Sequence, residues 1–183
     1  MIDPDFVRLH DDAMSVLAGW DHAEPQQRVL RDAYLQYLRE HPDAMSRQAR
    51  IGHLTASALV MDEHRRRVLL TLHPKVGRWL QLGGHVEIGD ESLQQAARRE
   101  TIEEGGIADV TISARPLCLD RHPVLCGGAQ SEHLDVQYLA LVPSGAREVM
   151  SDESDDLRWF AVNALPEPVD ASVRALIDNA LEW

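Results

Sequence analysis

Cysteine is scarce. Cys118 and Cys126 are the two in 183 residues, and they do not form a CxxC pair. That spacing gives no support to a disulfide framework or a zinc ribbon, and reads as two buried or half-buried thiols in a reducing compartment. A basic stripe is missing as well: 18 Lys and Arg stand against 30 Asp and Glu, for a formal net charge of −12. Such a chain is poorly suited to wrapping a nucleic-acid backbone. A phosphate-bearing substrate would meet a negative field, which a divalent cation would offset. No apolar run reaches the roughly 18 residues of a membrane helix. The acidic start "MIDPDFVRLHDDAM" has no signal-peptide character. The expectation is a cytoplasmic protein with no membrane or nucleic-acid partner. There is no internal repeat and no low-complexity tract, and 44% hydrophobic residues argue against disorder.

What is present divides in two. Residues 1–48 read as a helical extension. In "PQQRVLRDAYLQYLREHP", Val29, Leu30, Ala33, Leu35 and Leu38 fall near a 3.6 period, with Pro25 in the first turn and Pro42 past the end. This segment caps the core, or serves as a lid or as one half of a homodimer contact. From residue 49 onward strands and helices alternate. "LTASALVMD" and "RRVLLTLH" read as a hairpin turning at Asp62-Glu63-His64, and "GRWLQLGG" as a short strand. "SLQQAARRETIEEGG" reads as a helix with Ser92 as N-cap and Gly105-Gly106 as its stop. Two further strands are joined by a polar loop over 124–132. A last strand, "LRWFAV", and a closing helix complete an α/β domain over 49–183, a mixed sheet with helices around it.

The helix after Ser92 places Glu100, Glu103 and Glu104 at i, i+3 and i+4, three carboxylates on one face. Like charges so spaced repel, and a hard cation such as Mg²⁺ or Mn²⁺ would relieve them. Arg98 and Arg99 offset part of the charge. The glycines just upstream let backbone approach a phosphate or metal closely.

These residues resemble the signature of the Nudix (MutT-type) hydrolases: Gly, five residues, Glu, seven residues, then Arg-Glu-apolar-x-Glu-Glu-x-Gly-apolar. The second half is met by Arg99, Glu100, Thr101, Ile102, Glu103, Glu104, Gly105, Gly106 and Ile107, with Thr101 at an apolar position. The first half departs, because six residues rather than five separate Gly84 from Glu91. Either the loop carries one extra residue, or Asp90 fills the acidic position and the helix starts later. Loops absorb single insertions more easily than helix faces, which favours Glu91 as the partner of Arg99. Over residues 52–165 the resemblance implies a Nudix-type α/β/α sandwich that hydrolyses a nucleoside diphosphate linked to another group. It implies Glu100, Glu103 and Glu104 as metal ligands, Gly83 and Gly84 as loop-shaping glycines, and Glu91 paired with Arg99. It also implies a further acid before the last strand as base or ligand: Glu153, with Asp155 and Asp156 as rivals.

His85, directly after the glycines, is not needed for that chemistry. His133 and Asp135 stand two apart on an expected strand and share a face. This pattern resembles isopentenyl diphosphate isomerase, which has a histidine before its first core strand, a Cys-Gly-His loop and two alternating acids on a later strand, together binding a divalent metal. Here those positions read His53, Gly83-Gly84-His85 and His133-Leu134-Asp135. The cysteine is replaced by Gly83, which argues against isomerase chemistry, while His53, His85, His133 and Asp135 remain candidates for a second, transition-metal site. Three functions follow: a Mg²⁺-dependent pyrophosphohydrolase, an isomerase-like diphosphate enzyme, and a nucleotide-sensing module without turnover. Trp79 and Tyr138 are candidate stacking surfaces for a base.

Overall fold

The structure, a computed structural model, describes residues 3–126, 128–152 and 154–183. After a 3-10 turn at Pro4–Phe6 the elements are α1 (Val7–Gly19), α2 (Pro25–Glu40), β1 (His53–Asp62), β2 (Arg67–His73), β3 (Arg78–Leu80), β4 (Leu82–His85), α3 (Leu93–Gly105), β5 (Thr111–Ile112), β6 (Cys118–Cys126), β7 (Ala129–Val142), β8 (Asp156–Ala161) and α4 (Ala171–Glu182).

One mixed sheet holds all eight strands. β1 is its central strand. β7 runs parallel to it along its whole length, from His53 opposite His133 to Asp62 opposite Val142. β4 pairs with the first half of β1, and β2 with its far end. β6 and β7 form a long antiparallel hairpin, with His122 opposite His133.

Every residue of β1 is buried because both faces of the sheet are covered. Successive side chains point to opposite faces. Leu54, Ala56, Ala58 and Val60 enter one apolar cluster with Leu93, Ala96 and Ala97 of α3 and with Leu9, Leu17, Leu35 and Leu38 of the N-terminal helices. Leu59 and Met61 enter the other, with Val173, Leu176 and Ile177 of α4. This is an α/β/α sandwich, and α1 and α2 share the core of the sheet. The face of α2 that packs is Tyr34, Leu35, Tyr37 and Leu38. Val29, expected inside, is 70% exposed. The tyrosines displace it because each hydroxyl finds a carbonyl: Tyr34 donates to Asp120 and Tyr37 to Gly52.

Two other expectations are corrected. The polar loop over 124–132 is mostly strand: β6 runs to Cys126 and β7 starts at Ala129. Trp79 and Tyr138 are 7% and 1% exposed and belong to the core, Trp79 edge-on to Phe160, so neither is a stacking surface. The boundaries of α3 agree with the sequence reading. Ser92 Oγ accepts from the Gln95 N–H, and Gly106 closes the helix at φ 67° with its N–H on the Ile102 carbonyl.

Candidate active site and the neighbouring histidine cluster

β4 and α3 build the carboxylate site. Gly83 lies at φ 151°, and a Cβ there would sit 2.3 Å from the Ser57 Cβ and 2.4 Å from its Cα. No side chain fits, which rules out a cysteine on this backbone. At Gly84 a Cβ would lie 2.9–3.0 Å from the Glu100 carboxylate, so the glycine is what lets Glu100 come up against the strand.

Arg99 organises the acids. Its Nε and Nη2 donate to the two carboxylate oxygens of Asp90 at 3.1 and 3.0 Å, a bidentate pair. Nη1 reaches Glu100 and Glu103 at 2.9 Å each, and Nη2 also donates to the His85 carbonyl at 3.0 Å. Burial opposes the charge of Arg99, but the hydrogen bonds to Asp90 and the field of Glu100 outweigh it and raise its pKa well above the usual value. Glu104 turns the other way and accepts the Gly83 N–H at 3.0 Å.

The expected Glu91–Arg99 pair is therefore corrected. Asp90 is the partner, its side chain 5% exposed. Glu91 points outward and meets Arg8 of α1, with the two side chains 67% and 72% exposed. The reason is local. Asp90 closes the loop by accepting the Glu87 N–H, and α3 begins only after Ser92, with its Leu93 N–H on Asp12 of α1. Glu153 lies outside the described residues. Among its rivals, Asp156 pairs with Arg158.

The donor set suits a hard cation. Asp90, Glu100 and Glu103 bring three carboxylates to one guanidinium, and Glu104 of the same helix adds a fourth turned toward β4, all of them oxygen donors. Beside them a cavity of about 350 Å³ is lined by Glu87, Ile88, Asp90, Arg98, Arg99 and Glu103.

A second constellation lies on the other face of the same strands. His53 of β1, His85 of β4 and His133 of β7 have ring centroids 4.9–5.2 Å apart. Cys126, the last residue of β6, joins them: its Sγ is 3.8 Å from His85 Nε2. One ligand atom from each of these four residues lies within 4.8 Å of all the others. His53 is fully buried, and among the described residues neither of its ring nitrogens has a hydrogen-bond partner, nor has His133 Nε2. Burial, together with the neighbouring rings, lowers His85 to about 4 and His133 to about 3. Burial lowers His53 too, offset in part by the nearby Ala49 backbone, whose contact with the ring falls short of hydrogen-bond geometry. At the rim His122 shows the opposite shift, raised by its 2.6 Å hydrogen bond to Asp120.

Asp135, expected with the histidines, is absent from this cluster. It is buried two residues further along β7, accepting from Thr55, Ser57, Gln81 and Gln137. Those four bonds occupy both its oxygens, and burial still raises its pKa. The residue missed from sequence is Cys126. Its signal was the period-2 alternation that carries β6 through 118–126 and puts Cys126 on the same face as the histidines. A larger cavity of about 430 Å³ lies away from the carboxylates, between Ile51 and the β6–β7 hairpin.

The sequence model of the NUDIX domain matches residues 52–180. A MutT NUDIX hydrolase from Burkholderia pseudomallei is 30% identical, with 69% of this chain covering 95% of that one at a TM-score of 0.53. The NUDIX domain of Shewanella oneidensis NrtR, solved with ADP ribose, is 25% identical over 80% of this chain and 96% of its own, with a TM-score of 0.55. An Ap4A hydrolase from C. elegans, 21% identical over 70% and 95% with a TM-score of 0.55, shares the fold. No curated protein matches the chain by sequence.

Proposed function

The chain belongs to the Nudix hydrolase family, and on that premise we propose that it is a divalent-cation-dependent pyrophosphohydrolase whose substrate is a nucleoside diphosphate linked to another group. The observation that carries this reading is the arginine-centred cluster, Arg99 holding Asp90, Glu100 and Glu103 beside a glycine-lined strand.

Glu100, Glu103 and Glu104 would hold Mg²⁺ or Mn²⁺. Once bound, such an ion neutralises the pyrophosphate and polarises the phosphoryl oxygens. The residues of this chain do the rest. Arg99 fixes the Glu100 and Glu103 carboxylates from one nitrogen, so both are oriented before substrate arrives. Gly83 and Gly84 keep β4 free of side chains, giving phosphate a close approach. Arg98 and Arg99 line the adjacent cavity and supply positive charge to an acidic protein. A carboxylate, Glu103 or Glu153, takes the proton of a water whose oxygen attacks phosphorus, and the bridging oxygen leaves with the departing phosphate. Glu103, 58% exposed, can meet solvent water where it stands.

One neighbour, the 25% identical NUDIX domain of Shewanella oneidensis NrtR, was solved with ADP ribose, a nucleoside diphosphate linked to a sugar, which supports this substrate class. The test is phosphate release from a panel of nucleoside diphosphate derivatives with and without Mg²⁺. Cation-dependent release from at least one supports the reading; tight nucleotide binding with no turnover would make the chain a sensor instead.

A further inference from the structure

Four adjacent strands, in the order β4, β1, β7 and β6, each carry one metal-competent side chain: His85, His53, His133 and Cys126. The pairing register brings them together. His53 stands opposite His133 and His85 pairs two residues along β1 at Thr55; Cys126 lies at the hairpin end opposite Ala129, and its side chain reaches the rings from there. All four donor atoms lie within 4.8 Å, and the Cys126 Sγ to His85 Nε2 distance is already 3.8 Å. A four-coordinate ion with bonds of about 2.0–2.3 Å needs donors roughly 3.3–3.8 Å apart, so closure by about an ångström suffices.

The cluster is incomplete without a ligand. An imidazole needs a partner for at least one nitrogen when buried, and His53, fully buried, has none for either among the described residues. His133 Nε2 is likewise unpartnered, facing the same space. Orphaned buried polar atoms are costly, and here they converge. Three imidazoles and a thiol, with no carboxylate among them, do not suit Mg²⁺ or Ca²⁺. They suit a borderline-soft divalent ion held by four protein ligands in a closed, structural arrangement.

We propose that His53, His85, His133 and Cys126 bind one zinc-class divalent transition-metal ion, at a site separate from the carboxylates of α3. By strand parity the two sites lie on opposite faces of the sheet. Gly84 faces Glu100 while His85 faces the histidines, and the His85 carbonyl accepts from Arg99. The ion thus rivets β4, the strand against which the carboxylate cluster is built, to its neighbours. Asp135 takes no part, being held by its four hydrogen bonds.

The test is a cobalt titration of the full chain, stripped with chelator and kept reduced. It uses the Glu103→Gln/Glu104→Gln background, so that the α3 carboxylates cannot supply the site. One equivalent of Co²⁺ is expected to bind, with a thiolate-to-cobalt charge-transfer band and the intense visible absorption of a tetrahedral ion. Zn²⁺ should displace it and raise Tm. Cys126→Ser, at the half-exposed hairpin end, keeps the fold by circular dichroism but loses the charge-transfer band. His133→Ala weakens binding by more than about 100-fold, since even outer-sphere partners of metal ligands contribute 10–100-fold. No cobalt uptake, or an unchanged band in Cys126→Ser, overturns the assignment. Hydrolysis is not read in this experiment, so its failure leaves the proposed activity standing.

Discussion

Asp90 and Glu91 are adjacent acids with opposite surroundings, and neutralising each in turn tests the assignment of the arginine partner. Asp90→Asn removes the negative half of a bidentate pair at 3.0–3.1 Å whose carboxylate is 5% exposed, and disturbs the oxygen that accepts the Glu87 N–H. Breaking a well-buried ion pair costs about 3–5 kcal/mol. Arg99 keeps Glu100 and Glu103, so the expected cost here is lower, about 2–3 kcal/mol. Glu91→Gln removes a contact to Arg8 in which both side chains are two-thirds exposed or more, for no more than about 0.5 kcal/mol. In a chain of this length 1 kcal/mol moves Tm by about 2–4 °C. Asp90→Asn should therefore lower Tm by about 4–12 °C and Glu91→Gln by no more than about 2 °C, measured by calorimetry at low and high salt. Added salt should erase the smaller effect and leave the larger. Equal drops, or a larger one at Glu91, would refute the pairing and restore the register in which the loop carries the extra residue.

Three other outcomes are expected. Glu103→Gln and Glu104→Gln should each reduce kcat by at least about 100-fold while lowering Tm by no more than about 4 °C, checked by phosphate release at saturating Mg²⁺; near-wild-type turnover in both would exclude them as metal ligands. Gly83→Ala must force a Cβ to within 2.3 Å of Ser57 at a positive φ, so it should cost more than about 3 kcal/mol in urea unfolding; a loss under about 1 kcal/mol would show that β4 shifts freely. Stability of chelated protein should fall with acid: His85 and His133 titrate near 4 and 3 when folded but near about 6.5 when unfolded, so the unfolded chain takes up protons first as pH falls. Their contribution is full above about pH 6.5, and between pH 7 and 5 roughly 2–4 kcal/mol should be lost. His122, shifted upward, works the other way and loses its contribution as pH rises. A flat profile over that range, measured in urea, would contradict the burial of the two rings.

The carboxylate site was largely legible in the sequence because it is local. Glu100, Glu103 and Glu104 share a helix face by spacing alone, and Ser92 and Gly106 mark the helix ends through side-chain and φ preferences that act within a few residues. The choice between Asp90 and Glu91 was not legible. Both are acids, and what separates them is the Glu87 N–H that Asp90 captures and the Arg8 side chain that α1 brings to Glu91. The histidine site was legible by type and not by membership. His133 and Asp135 do share a face, but a two-residue step along a strand is about 7 Å. At that distance Asp135 meets Thr55 and Ser57 instead of the histidines. Cys126 entered through the length of the β6–β7 hairpin, which a loop reading of 124–132 had cut short.

The short strand β4 connects these results. Its alternation sends Gly84 to the face of α3 and His85 to the opposite face, so one residue step separates two donor sets of different hardness. The oxygens of Glu100, Glu103 and Glu104 suit a cation that exchanges and travels with substrate phosphate. The imidazoles and the thiol suit an ion that stays. Gly83, where no Cβ fits, holds the strand against Ser57 so that neither neighbour can slide. Arg99 ties the strand to the helix through the His85 carbonyl. A movement of His85 would therefore be felt at Glu100 and Glu103 through a single guanidinium. On this geometry, loss of the ion proposed at the histidines should loosen the carboxylate cluster without removing any of its residues, and kcat should fall while the side chains proposed to contact substrate remain in place.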